Sequence, residues 1–187
     1  PTAMTRIASI TGIGHLDKAL QRGKGAILLL CHLGPNQFLM PILGYQHYSI
    51  GQVSLPADAV HIVFGKQKIS PIHKKVLQLK RQMEESLPST HIFLEQGIWT
   101  ALDWLKQNRI LAIAFDGRHG KRFVTIPFCG RIAQYSPGPF TIGQRSRSPI
   151  LPAFIIRQED DSLQLTIEAP LGQATQKSSN RELMSEY

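Results

Sequence analysis

The chain has 187 residues, enough for one substantial hydrophobic core and short for two, so a single domain over residues 1–187 is expected. Lys and Arg outnumber Asp and Glu 21 to 13, for a formal charge of +8, which points to polyanionic partners: anionic lipid, an acidic carrier protein or nucleic acid. Only Cys31 and Cys129 are present, in no Cys-x-x-Cys arrangement, which argues against a disulfide framework or a zinc site and for a reducing, cytosol-facing setting.

In chain order, Leu16 to Arg22 predicts a short helix between glycines. Ala26-Ile-Leu-Leu-Leu-Cys31 is apolar at every position, the pattern of a parallel strand covered on both faces. It stops at His32-Leu-Gly-Pro35, and Pro35 suits the first turn of a helix that continues through Gln37, Phe38, Leu39, Ile42 and Leu43. A strand near His61–Phe64 comes next. An amphipathic helix then runs from about Pro71 to Leu87, with Ile72, Val76, Leu79 and Met83 at helical spacing and Lys74, Lys75, Lys80, Arg81, Glu84 and Glu85 on its polar faces. His91–Leu94 predicts a strand, Ile98–Gln107 a helix, and Ile110–Phe115 a second buried strand ending at Asp116. Phe123–Phe128 reads as an edge-like strand, Ser136–Arg147 as a proline-initiated helix, Ile150–Ile156 as an apolar strand, and Leu163–Glu168 as a strand with one wet face; beyond Gly172 the composition turns to loop. Alternating strands and helices predict an α/β fold, a mainly parallel central sheet flanked by helices. No apolar run approaches the ~20 residues needed to span a bilayer.

In such sheets ligands bind beyond the carboxyl ends of the strands. Two buried strands end there in polar residues, one in His32 and the other in Asp116. Position alone leaves His32 with two readings, a hydrogen-bonded histidine closing a strand or a catalytic base. Cys31 points to the opposite face and belongs to the core. Gly12-Ile-Gly14 lacks the third glycine of a dinucleotide fingerprint, and no Walker loop, G-x-S-x-G elbow or H-E-x-x-H occurs.

The segment Leu30-Cys-His32-Leu-Gly-Pro-Asn-Gln37 resembles the H-x-x-x-x-D/E block of the lysophospholipid acyltransferase superfamily. Its form is that of the lipid A lauroyl/myristoyl transferases, H-F-G-N-W-E. Asp116 to Arg131 resembles that branch's Asp-rich loop followed by V-P-F-F-G-x. Ser136-Pro-Gly-Pro139 and Ser148-Pro-Ile-Leu-Pro152-Ala-Phe-Ile155 resemble its T-x-x-G-P and G-A-P-V-V-P-V-F blocks, in the same order. The match covers roughly residues 25–171, the core of the expected domain.

The resemblance implies a lipid A acyltransferase-like fold and transfer of a fatty acyl group from a thioester, on acyl carrier protein or coenzyme A, to a lipid or glycolipid hydroxyl, with no cofactor or metal. His32 is then the general base, since an imidazole, with an ordinary pKa of about 6.5, can deprotonate a hydroxyl and reprotonate a leaving thiolate. Gln37 stands where the family carries an acid; its amide oxygen can accept a hydrogen bond from the imidazole but carries no charge. Asp116 or Glu95, distant in sequence, are the candidates to supply that charge. Arg118, Lys121, Arg122 and Arg131, with Gly130, are expected to bind phosphate on the donor or acceptor, against the alternative of a solvated basic loop in which Asp116 braces Arg118. Phe128, Phe140 and Phe154 read as core or as acyl-chain wall; Trp99 and Trp104 as interfacial or partly buried. The expected location is the cytoplasmic face of the inner membrane, peripheral or anchored by a segment outside Pro1–Tyr187, with both termini truncated. A catalytically impaired homologue that binds acyl or lipid ligands is the second reading. Nucleic-acid binding is a distant third, because stacking aromatics are scarce at 7% and no base-reading motif is present.

Overall fold

A computed structural model describes residues 8–54, 70–93, 97–117 and 122–172. Seven strands form one sheet in the order β1-β9-β8-β2-β5-β3-β4. They are β1 (Ala8–Thr11), β2 (Ala26–Leu30), β3 (Ile50–Ser54), β4 (Thr90–Phe93), β5 (Ile110–Ala114), β8 (Ile150–Arg157) and β9 (Leu163–Ile167); β6 (Val124–Phe128) and β7 (Arg131–Tyr135) make a separate antiparallel hairpin. The five strands from β8 to β4 run parallel, so their carboxyl ends share one edge of the sheet. Only β9, antiparallel to β8, and β1 beside it run the other way.

The apolar run of β2 explains its central place. All five residues are buried, and alternation divides them between two cores. Leu28 and Leu30 face a core built with Leu16 and Ala19 of α1 (Ile13–Leu20) and Leu39, Ile42 and Leu43 of α2 (Leu39–Tyr45). Ile27 and Leu29 face the other, with Ala101 and Leu105 of α4 (Trp99–Lys106) and Phe140 and Ile142 of α5 (Gly138–Ser146). Each leucine, isoleucine or phenylalanine so taken from water contributes about 1.5–3 kcal/mol before chain entropy is charged against it. The remaining helix, α3 (Pro71–Glu85), has no buried residue.

The elements agree with the sequence expectations in type and order, with shifted ends. α1 starts three residues before Leu16, and the segment after Pro35 opens as a 3-10 turn, Asn36–Phe38, before α2. The strand expected at 61–64 lies outside the described residues, as does the expected loop beyond Gly172. β3 carries no sequence signal because Gly51 and Gln52 interrupt it; a side chain at Gly51 would meet Trp104 and Ile92 at 2.9 Å, so the glycine lets that tryptophan pack against the strand. β7 was hidden by the brief turn at Cys129 and Gly130, both at positive φ.

Candidate active site

β2 and β5 are neighbouring parallel strands with Leu30 opposite Ala114, so the residues leaving them emerge side by side. One further ladder bond, from the Phe115 N–H to the Leu30 carbonyl at 2.9 Å, sets Asp116 beside His32 across 84 positions of sequence. The Asp116 carboxylate grips that one residue twice: Oδ2 accepts the backbone N–H of His32 at 2.8 Å, and Oδ1 lies 2.8 Å from the imidazole Nδ1. An ionised carboxylate only accepts, so Nδ1 carries the proton, and in the neutral ring Nε2 then keeps its lone pair. The His32 side chain is 67% exposed and that of Asp116 28%, which leaves the imidazole reaching outward from a partly sheltered carboxylate.

Gln37 sits exposed on the 3-10 turn and makes no hydrogen bond to His32. Its neighbour Asn36 shapes the loop instead, Nδ2 donating to the Cys31 carbonyl at 3.0 Å. Gly34 has φ +63°, and a Cβ there would lie 2.7 Å from the Ile155 carbonyl oxygen, so the loop lies directly on β8. The backbone N–H groups of Leu33 and Gly34 make no hydrogen bond among the described residues.

Between this loop and the end of β8 runs an apolar groove of about 370 Å³, lined among others by Cys31, Leu33, Pro35, Phe154 and Ile156, with Arg157 at the strand end. Its volume lies in the roughly 300–1,000 Å³ range of small-molecule sites. Cys31, expected in the core, is half-buried and also forms groove wall. Of the three phenylalanines, Phe140 is fully buried, Phe154 lines the groove and Phe128 is exposed. Trp104 donates its Nε1–H to the Ile110 carbonyl at 2.8 Å and stacks under Arg109, a structural role, whereas Trp99 is exposed.

The sequence reading missed Tyr135. Its ring packs 4.5 Å from that of Phe115, joining the hairpin to the residue before Asp116. Burial, and next the Asp116 charge, push its phenol above the ordinary value. It closes a five-residue strand behind the Cys129-Gly130 turn, too short a segment for periodicity to have signalled it. Gly130 and Arg131 occupy the tip of the same hairpin, and Arg122 lies exposed before it; none makes a hydrogen bond to His32. Arg118, Lys121 and Glu95 lie outside the described residues. No group of three or more His, Cys, Asp or Glu that could hold a metal forms among the described residues.

The family model of the bacterial lipid A biosynthesis acyltransferases matches residues 2–186. The chain belongs to that family. Comparison with curated proteins found no match. Membership in the lipid A acyltransferase family fits a parallel sheet flanked by helices and makes the chain's enzyme class acyltransferase, in lipid biosynthesis. In this member of the lipid A acyltransferases, a histidine with a free Nε2, a carboxylate behind it and an apolar groove beside it meet at one sheet edge. Such an arrangement can take a proton from a hydroxyl while a hydrocarbon chain lies alongside.

Proposed function

We propose that the chain transfers a fatty acyl group from a thioester, on acyl carrier protein or coenzyme A, to a hydroxyl of a lipid or glycolipid, with His32 as general base. The observation that carries this reading is the double grip of Asp116 on His32, both contacts at 2.8 Å. Nε2 removes the acceptor's proton as its oxygen attacks the thioester carbonyl. The tetrahedral intermediate then collapses, the carbon–sulfur bond breaks, and the imidazolium returns the proton to the departing thiolate. Asp116 keeps Nδ1 protonated and offsets the positive charge that develops on the ring. The uncommitted N–H groups of Leu33 and Gly34 are suited to the carbonyl oxygen as it becomes negative. The acyl chain lies in the groove along Phe154 and Ile156. Arg122, Gly130 and Arg131 are assigned to phosphate binding, and on sequence grounds so are Arg118 and Lys121. The reaction runs at the cytoplasmic face of an anionic membrane, and the basic charge of +8 favours attraction to that surface and to an acidic carrier.

The case for an impaired homologue rested on an uncharged position 37. In the reading proposed here the charge comes instead from Asp116, just beyond β5, and Gln37 makes no bond to the ring, which favours the active form over the impaired one. The test is acyl transfer from a labelled thioester to a lipid hydroxyl. Asp116→Asn is expected to lower the rate roughly 10²–10⁴-fold, as elsewhere when an acid behind a catalytic imidazole becomes its amide. Gln37→Glu is expected to change it by less than about tenfold. Wild-type turnover by Asp116→Asn, or a large gain from Gln37→Glu, would overturn the assignment.

A further inference from the structure

The apolar stripe of α3 faces away from the protein. Ile72, Val76, Leu79 and Met83 recur at the spacing that puts them on one line of the helix, and Ile72 is 78% and Met83 71% exposed. The half-buried residues of α3 are Leu77 and Glu84, seven apart on another face. At about 100° per residue, that resting face lies roughly a third of a turn from the stripe, so the stripe is directed outward. Lys75 borders the stripe on one side and Lys80 on the other. Lys80 leans toward Glu84 at 3.6 Å and Arg81 pairs with Glu85 at 2.7 Å, while Lys74 and Lys75 make no ion pair among the described residues. Ser70 caps the helix, its side chain accepting the N–H of His73, and Pro71 occupies the first turn, so the helix has its own start signal without support from the body. An ordered helix with four outward apolar residues between lysines has the form of an element lying in the plane of a bilayer surface.

We infer that α3 docks the protein on an anionic lipid surface, its apolar stripe entering the boundary between headgroups and acyl chains and Lys75 and Lys80 reaching to the phosphates. Charge decides the occupant: lysines bordering an apolar line complement anionic headgroups, whereas a second copy would bring the same lysines against them. At 15 residues α3 is shorter than the ~20 needed to cross a bilayer, so its apolar stripe suits a place in the surface plane. This deepens the membrane reading proposed above and rests on it. The test is co-sedimentation with vesicles of phosphatidylglycerol and phosphatidylethanolamine in equal parts, against vesicles of phosphatidylcholine alone. Wild type is expected to prefer the anionic vesicles, and Ile72→Glu with Met83→Glu to lower partitioning about tenfold or more. Lys75→Glu with Lys80→Glu should lower it comparably on anionic vesicles only. Both pairs should melt like wild type, because the altered side chains are exposed, and His32→Ala should bind normally, which separates docking from turnover. Binding by wild type that the α3 variants leave intact overturns the role of α3 alone. Failure of wild type to bind either vesicle overturns the membrane reading beneath it. A dimer in light scattering that Ile72→Glu with Met83→Glu dissolves, without vesicle binding, assigns the stripe to a second copy and overturns the proposal.

Discussion

The Asp116–His32 contact is exposed enough that it contributes at most about 1 kcal/mol to folding, so its worth must be sought in chemistry. That separation makes Asp116→Asn informative, because a loss of transfer would come without a loss of structure. Gly34 behaves differently. Alanine there would hold a left-handed backbone angle and press its Cβ on the Ile155 carbonyl, so Gly34→Ala is expected to cost roughly 1–3 kcal/mol or to lift the loop from β8. Lifting would carry the Leu33 and Gly34 N–H groups away from the imidazole, and acyl transfer should fall even where a melting curve shows most stability retained. Both residues were named in the sequence, but what each touches was not legible there. A histidine and an aspartate 84 positions apart meet only when β2 and β5 are neighbours.

Among the elements, β2 and α3 are opposite cases of one amphipathic logic. Leu28 of β2 is fully buried between α1, α2 and the neighbouring strands, so Leu28→Ala should destabilise the fold by about 2–5 kcal/mol in chemical denaturation. Ile72→Glu, on a helix without a buried residue, should shift the same curve by less than about 0.5 kcal/mol. An equal cost at both positions would show that the α3 stripe is covered. The continuous run of β2 told its burial in advance, because a strand apolar on both faces must be covered on both. Helical spacing in α3 told its secondary structure and nothing of its cover. β3 and β7 went unread for a related reason, since a five-residue strand containing Gly51 and Gln52, or one behind a two-residue turn, carries too little periodicity to separate from loop.

For the whole molecule, Tyr48 ties the chain after α2 to α1, its hydroxyl donating to Asp17 at 2.7 Å. Burial first, then the hydrogen bond and charge of Asp17, push its phenol from 10.0 up to about 12. The folded state therefore keeps this proton at pH values where the unfolded chain has lost it. The resulting stability is complete below about pH 10 and is lost as pH rises toward about 12. Tyr48→Phe should show a shallower fall of denaturation midpoint over that window than wild type; identical slopes would contradict the assignment.

The sequence alone determined the α/β class, the identity and order of most strands and helices, and the two polar residues that end buried strands. These are local properties, written in apolar runs, helical spacing and proline or glycine punctuation. Tertiary structure decided which carboxylate stands behind the imidazole, where the apolar groove opens, and that the stripe of α3 has no partner within the described chain. The order of strands in a sheet is set by long-range packing, and periodicity cannot state what will lie against a face.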